Sequence, residues 1–260
     1  MSRDPLLEVR ELSKTYFRRR WRGSPRPATL ALAGVTFSLD RARTLAVIGA
    51  SGSGKSTLAR CLTQFETPSS GEILFEGRPL SPRRRLDIQL IFQQPAASLN
   101  PRFTAAEIVE EPLVIQRRGT SAARRERAAA ALELTGIARA SLGRRAHEFS
   151  GGERQRLAIA RAMVAEPGLL ILDESFNGLD ASLAAQVATL LRQLQERLGI
   201  AYILISHDLR LVAGLAHEIA VMERGAIVEH GLAATLMSQP RHPHTRELLA
   251  ASLALEGGTA

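Results

Sequence analysis

Cysteine, lysine and long apolar runs are all scarce in this chain. Among its 260 residues Cys61 is the single cysteine, which excludes an intrachain disulfide framework and fits a reducing compartment. Cys61 itself reads as an inert, half-buried thiol within a helix. No stretch approaches the roughly 18 consecutive apolar residues that a membrane-spanning helix needs. The opening MSRDPLLEVR is charged from the start and has no apolar core, so no secretory leader is expected. Internal repeats and long low-complexity tracts are missing too. What is present is 45% apolar residues, enough to bury a core, in a length that suits one large α/β domain or a core with a smaller subdomain.

Lysine occurs only at positions 14 and 55, so nearly all of the 34 Lys and Arg residues behind the net charge of +8 are arginine. That reads as a chain-wide compositional bias. The runs Arg18–Arg20 and Arg83–Arg85 read as solvated loops, and no nucleic-acid partner is expected. A lysine that persists in so lysine-poor a chain invites a chemical explanation.

The N-terminal part reads as β-structure: LLEVREL, TLALAGVTFSL and GEILFEG, the first two separated by the basic loop FRRRWRGSPRP. Three apolar runs, TLAVIGA, LLILDE and AYILISHD, have the composition of buried parallel strands. Each passes directly into polar residues. Ligands of open α/β sheets bind beyond the carboxyl ends of the strands, so these polar ends are expected to share one crevice. Between the first two runs, residues 104–118 and 121–135 read as helices, with Gly136 as a stop, and a third helix starts at Ser150. The tail EIAVMERGAIVEHG reads as a hairpin about Arg224-Gly225, followed by short helices.

Gly49, Ala50, Ser51, Gly52, Ser53, Gly54, Lys55 and Ser56 match G-x-x-x-x-G-K-[ST] at every specified position. The motif follows a strand and opens a helix, as it must. Its glycines let backbone N–H groups approach phosphate oxygens, and the helix N-terminus adds positive dipole. Lys55 is expected on the β- and γ-phosphates, and the Ser56 hydroxyl on Mg²⁺. Asp173 and Glu174 end the strand LLILDE, where buried charge needs a reason. Strand alternation divides them: Asp173 to the Mg²⁺ shell, Glu174 to orienting and deprotonating the attacking water. His207, after the third strand, is placed to contact the γ-phosphate. His242 and His244 are too few and too near the tail to make a metal site.

A second glycine pair lies in FSGGERQR, residues 149–156. Ser150 and Glu153 form a capping box, which accounts for them but not for Gly151 and Gly152. Bare amides at a helix N-terminus suit an anion, yet this loop has no lysine, so it reads as half a site. A second copy related by two-fold symmetry would supply the other half.

Gly49–Thr57, Gln93, Ser150–Gln155, Leu169–Glu174, Asp180 and His207, in that order, closely resemble the ATP-binding subunits of ABC transporters, and the match covers nearly the whole chain. The resemblance implies an α/β P-loop NTPase core with a mostly parallel sheet, an N-terminal antiparallel β subdomain and an inserted α-helical subdomain. The implied division is 1–93 with 168–230 as β subdomain and core, 94–167 as helical signature subdomain, and 231–260 as a short helical tail. The implied cofactors are ATP and Mg²⁺, the latter held by Ser56, Gln93 and Asp173. The implied assembly is a head-to-tail dimer with an identical or paralogous ATP-binding subunit. Ser150, Gly151, Gly152 and Glu153 then act as the signature loop on the opposite ATP. Gln93 becomes the Q-loop residue beside the catalytic Glu174 and His207, Asp180 the D-loop aspartate, and Tyr16 the aromatic that stacks on adenine. Thr57 completes the ATP-binding loop. The chain departs from the family's usual residues at Phe149, Glu153, Phe176 and Asn177-Gly178.

QPAASLNPR, SHDLRLV and PRHPHTRELL also resemble the ATPases of peptide and nickel uptake systems. The reading is an ATPase subunit, peripheral at the cytoplasmic face of the membrane, that powers an importer of peptides, nickel or a related small solute. Its partners are permease subunits and, indirectly, a solute-binding protein. A soluble ABC-type ATPase acting on nucleic acid or the ribosome is the alternative. A small-molecule kinase using only the first glycine loop would leave the second unexplained.

Overall fold

A computed structural model describes residues 4–18, 26–81, 84, 86–92, 98–175 and 180–257. The chain divides into two compact units, Met1–Arg85 with Ala201–Ala260, and Leu86–Ile200.

The first unit contains two sheets. Strands β1 (Leu7–Arg18) and β2 (Arg26–Leu39) pair antiparallel, and β1 also pairs antiparallel with β4 (Ser70–Phe75), which continues to the short β5 (Arg78–Pro79). Leu7, Val9 and Leu12 of β1 are all buried, and the two-residue period breaks at Glu11. There φ is 47° and the β1–β2 register shifts, the mark of a bulge.

In the other sheet β3 (Thr44–Ile48) runs parallel to both β8 (Ala201–Ile205) and β9 (Glu218–Glu223), and β9 turns back antiparallel into β10 (Ala226–Leu232). Every residue of β3 and β8 is buried, as their mostly apolar composition requires of central parallel strands. The edge strand β10 has no buried residue. Helix α1 (Lys55–Leu62) follows β3, α6 (Leu209–Leu215) follows β8, and α7 (Ala233–Ser238) and α8 (Pro243–Gly257) form the tail. The expected hairpin about Arg224-Gly225 is thus the β9–β10 turn.

The second unit pairs β6 (Ile88–Ile91) parallel with β7 (Leu169–Asp173) and, among the described residues, adds four α-helices and two short 3-10 turns. Helix α2 (Ala105–Ile115) opens on a Thr104–Glu107 capping box, and α3 (Ser121–Leu134) is capped by Thr120 and ends before Gly136 at φ 74°. Helix α4 (Gly151–Met163) precedes β7, and α5 (Ala181–Leu198) follows it. Ile108, Val109 and Leu113 of α2, Ala128 and Leu132 of α3, and Leu157 and Ala160 of α4 make one apolar cluster. Phe149 belongs to it at 3% exposure, with the Arg144 guanidinium 4.1 Å over its ring. Burying that ring is worth about 2–3 kcal/mol. The bulky residue before the signature loop therefore serves the helical core.

Candidate functional site

In the first unit the P-loop is built from three left-handed glycines: Gly49 at φ 155°, Gly52 at 80° and Gly54 at 108°. A Cβ on Gly49 would lie 2.3 Å from the Met222 carbonyl oxygen, and one on Gly54 would lie 2.5 Å from that of Ala31. Both positions thus exclude any side chain by backbone contact as well as by φ. The β9–β10 turn holds the loop from outside, since Gly225 N–H donates to Ser53 O at 2.9 Å. Lys55 is buried, and its ammonium donates to Gly49 O at 2.8 Å, Ala50 O at 2.9 Å and, more weakly, Ser53 Oγ at 3.4 Å. The loop is wrapped about its own lysine. Helix α1 begins at Gly54 without a side-chain cap among the described residues. Ser56 and Thr57, half-buried, stand in its first turn.

Strands β3 and β8 are parallel neighbours with Val47 opposite Ile205, so the P-loop and His207 leave the sheet at the same edge. The turn after β8 is held by its neighbours: Ser206 Oγ accepts from Asp208 N, and Asp208 Oδ1 from Leu211 N. His207 between them is exposed.

Tyr16 lies half-buried on β1 beside the chain's other lysine. Lys14 Nζ sits 5.2 Å from the Tyr16 ring centroid, donates to Thr67 O at 2.7 Å and pairs with Glu66 at 3.1 Å. Scarcity pointed to Lys55 alone; Lys14 has a structural task that the sequence did not show.

In the second unit Asp173 ends β7 at 9% exposure. A carboxylate at the end of an all-apolar strand is the kind of hard oxygen donor that a divalent cation takes, and so is the Ser56 hydroxyl. Glu174 differs from the expectation of simple alternation. It lies past the strand with φ 50°, a left-handed conformation that costs a non-glycine residue about 1–2 kcal/mol. The turn of the backbone, and not the pleat, therefore separates the two carboxylates. Ser175 and Gln155, both 2% exposed, stabilise that turn: Ser175 Oγ donates to Ile91 O at 2.7 Å, and Gln155 Nε2 to Ser175 O at 3.2 Å.

The signature stretch carries the expected box. Ser150 N donates to Glu153 Oε2 at 2.8 Å and Glu153 N to Ser150 Oγ at 3.2 Å, with Arg144 3.5 Å from the same carboxylate. The Ser150 amide, first among several donors, holds the Glu153 carboxyl below its ordinary range. The two glycines separate here. A Cβ on Gly152 would meet Leu183 Cδ1 of α5 at 2.9 Å, whereas one on the exposed Gly151 would meet nothing within 4 Å. Neither has a left-handed φ. The Leu183 methyl ends a flexible side chain that can give way, so packing among the described residues favours glycine at 152 without demanding it, and makes no demand at 151.

Asp180 is exposed and caps α5, its Oδ1 accepting from Leu183 N at 2.9 Å. Gln93 and the D-loop residues 176–179 lie outside the described residues. Cys61, expected half-buried, is fully buried in α1, and burial pushes its thiol up to about 11. Among the described residues no group of three or more His, Cys, Asp or Glu side chains could hold a metal by themselves, and no helix is long and apolar enough to cross a membrane.

The ABC transporter family model matches residues 32–177. The dipeptide transport ATP-binding protein DppF of Escherichia coli (strain K12) is 43% identical over 255 residues, covering 95% of this chain and 76% of DppF. DppF of Haemophilus influenzae is 42% identical over 255 residues, with 95% and 78% covered. Among solved structures, cbiO1 from Clostridium perfringens, part of the ABC transporter complex cbiONQ, superposes with TM-score 0.78 at 30% identity, covering 91% of this chain and 92% of that one. The ATP-binding cassette MJ0796, dimeric and bound to ADP and Pi in a post-hydrolysis state, gives TM-score 0.71 at 26% identity, covering 87% and 98%. A P-loop closed about its lysine, a buried strand ending in Asp173 with Glu174 on the turn after it, a capped helix at Ser150 and these relatives agree: the chain belongs to the ABC transporter family, as an ATP-binding, ATP-hydrolysing cassette.

Proposed function

We propose that the chain is the motor subunit of a membrane importer for peptides, and that each of its active centres is completed by a second ATP-binding subunit, identical or paralogous. The observation that carries the pairing is Gly151. It is a glycine at a helix start, required neither by its φ nor by any neighbour among the described residues. Close approach of something outside the chain explains the missing side chain, and the dipole and amides of a capped helix start favour an anion there. The peptide class is supported by the dipeptide-transport relatives; the nickel reading rests on sequence resemblance alone. The partners are permease subunits and, through them, a solute-binding protein, with the cassette at the cytoplasmic membrane face. Residues 94–167 serve as the helical subdomain that passes motion to the permease, 1–93 with 168–230 as the core, and 231–260 as a tail.

The roles follow from residue chemistry. Lys55 exchanges its loop carbonyls for β- and γ-phosphate oxygens, and the amides of the P-loop from Gly49 to Thr57 cradle the phosphates. Ser56, Asp173 and Gln93 are of the donor type that would hold Mg²⁺, which when bound neutralises phosphate charge. Glu174 orients the attacking water and takes its proton; His207 contacts the γ-phosphate; Tyr16 stacks on adenine. Asp180, while capping α5, lies on the dimer interface. Catalysis of this kind is chiefly positioning and electrostatics.

Gly151→Asp tests the pairing. It puts a carboxylate where the partner's phosphates approach. ATP binding to the isolated chain is expected to stay as in wild type, while ATP-driven dimerisation and hydrolysis are lost. Loss of ATP binding by the isolated chain would mean that the loop serves its own site. Purification from membranes tests the importer reading. Copurifying permease chains support it, whereas ATPase activity stimulated by DNA or ribosomes, with no permease, supports the soluble alternative.

A further inference from the structure

We infer that Ser175 is a positioning residue for hydrolysis, tying the residue after Glu174 to the end of β6 by its hydroxyl and to the signature helix by its carbonyl. The inference rests on the assignment of Glu174 as the base.

Strands β6 and β7 are paired from Ile88↔Leu169 to Ile91↔Leu172. The ladder ends there, one residue before Asp173. Past that point Ser175 replaces the ladder, its hydroxyl donating to the carbonyl of Ile91 at 2.7 Å. Ile91 is two residues before Gln93. From the other side Gln155, five residues after the cap Ser150 and on the same helix, donates to the Ser175 carbonyl at 3.2 Å. Both side chains are 2% exposed, so water cannot readily replace either bond. Between the end of β7 and this anchor lies Glu174, at φ 50°. A non-glycine residue keeps such a conformation only when its surroundings over-determine it. The anchored Ser175 is one such constraint, directly after Glu174 in the chain.

Serine suits the position because it is the smallest side chain with a hydroxyl donor. Alanine keeps the volume nearly unchanged but leaves a buried carbonyl without this donor, and Glu174 gains freedom to relax toward right-handed φ. A base displaced by an ångström loses rate without losing substrate affinity. The effect therefore falls on kcat and not on KM. Because Gln155 holds the same residue through the Ser175 carbonyl, its removal loosens the same turn, and the two substitutions are coupled.

The test measures ATPase kinetics of the full-length chain for Ser175→Ala, Gln155→Leu, the double variant and Ser175→Thr, with Tm and ATP binding recorded for each. Ser175→Ala is expected to lower kcat about tenfold with KM within about twofold of wild type. Ser175→Thr, which keeps the hydroxyl, restores most of the rate. The double variant is no slower than the slower single variant, since both break one chain of bonds. An unchanged kcat in Ser175→Ala and Gln155→Leu, whether or not Tm falls, overturns the inference. Glu174→Gln is run alongside. If it hydrolyses ATP at the wild-type rate, the base assignment fails and the inference with it. If it is inactive while Ser175→Ala is not slowed, only the positioning role fails.

Discussion

The chain carries two glycine loops that each open a helix, and they are built in opposite ways. The P-loop has glycines at φ 155°, 80° and 108°, pressed against carbonyls of Met222 and Ala31, no side-chain cap among the described residues, and a lysine folded into its own centre. The signature loop has glycines in ordinary conformations, a complete Ser150–Glu153 capping box and no lysine. The first is shaped by its own backbone, closed about Lys55. The second is a locally satisfied helix start in which Gly151 meets no neighbour among the described residues. The difference teaches which residues answer to the fold and which answer to something outside it.

Substitutions at the two loops should therefore diverge. The largest effect is expected from Gly54→Ala, which combines a left-handed φ with a Cβ 2.5 Å from a backbone oxygen. We expect a loss of about 3 kcal/mol or more in thermal or denaturant unfolding, together with loss of ATP binding. Ser150→Ala removes a cap and should cost about 1 kcal/mol, with ATP binding by the isolated chain unchanged. Gly151→Ala should alter stability by less than about 0.5 kcal/mol, because the new methyl group meets nothing. Equal losses at Gly54 and Gly151 would break the comparison.

The smallest effect is one of pH. The Glu153 carboxyl is held below its ordinary value, chiefly by the Ser150 amide. A depressed carboxyl stabilises the fold above its unfolded value of about 4.3 and loses that contribution as pH falls through the folded value. The Tm difference between wild type and Glu153→Gln should accordingly be constant near neutrality and change only in acid, below about pH 5. A change between pH 6 and 8 would assign the titration to another group.

How much of this was legible in the sequence depended on how local each feature is. The P-loop, the apolar runs that became β3, β7 and β8, and the capping box of Ser150 are contiguous patterns, and each stands where the sequence placed it. Strand β6 gives no contiguous apolar signal, because Gln89 divides its four residues, and α5 has no motif of its own beyond its Asp180 cap. Alternation failed at Glu174, since the strand stops at Asp173 and the pleat no longer governs the next residue. Gly151 and Gly152 looked alike in sequence; only Leu183, thirty-one positions beyond Gly152, distinguishes them. The Gln155–Ser175–Ile91 connection joins residues 84 positions apart in sequence, which no local pattern encodes.

The central claim is that one ATP needs the Lys55 loop of one chain and the Gly151 loop of another. Mixing two inactive variants, Lys55→Ala and Gly151→Asp, and assaying ATP hydrolysis tests it directly. If each centre is shared between chains, a mixed dimer has one centre carrying both lesions and one carrying neither. Activity should then reappear on mixing, approaching a quarter of the wild-type rate per chain if chains pair at random and centres act independently. If each chain's signature loop serves its own nucleotide, every centre carries one lesion, and the mixture stays as inactive as its components.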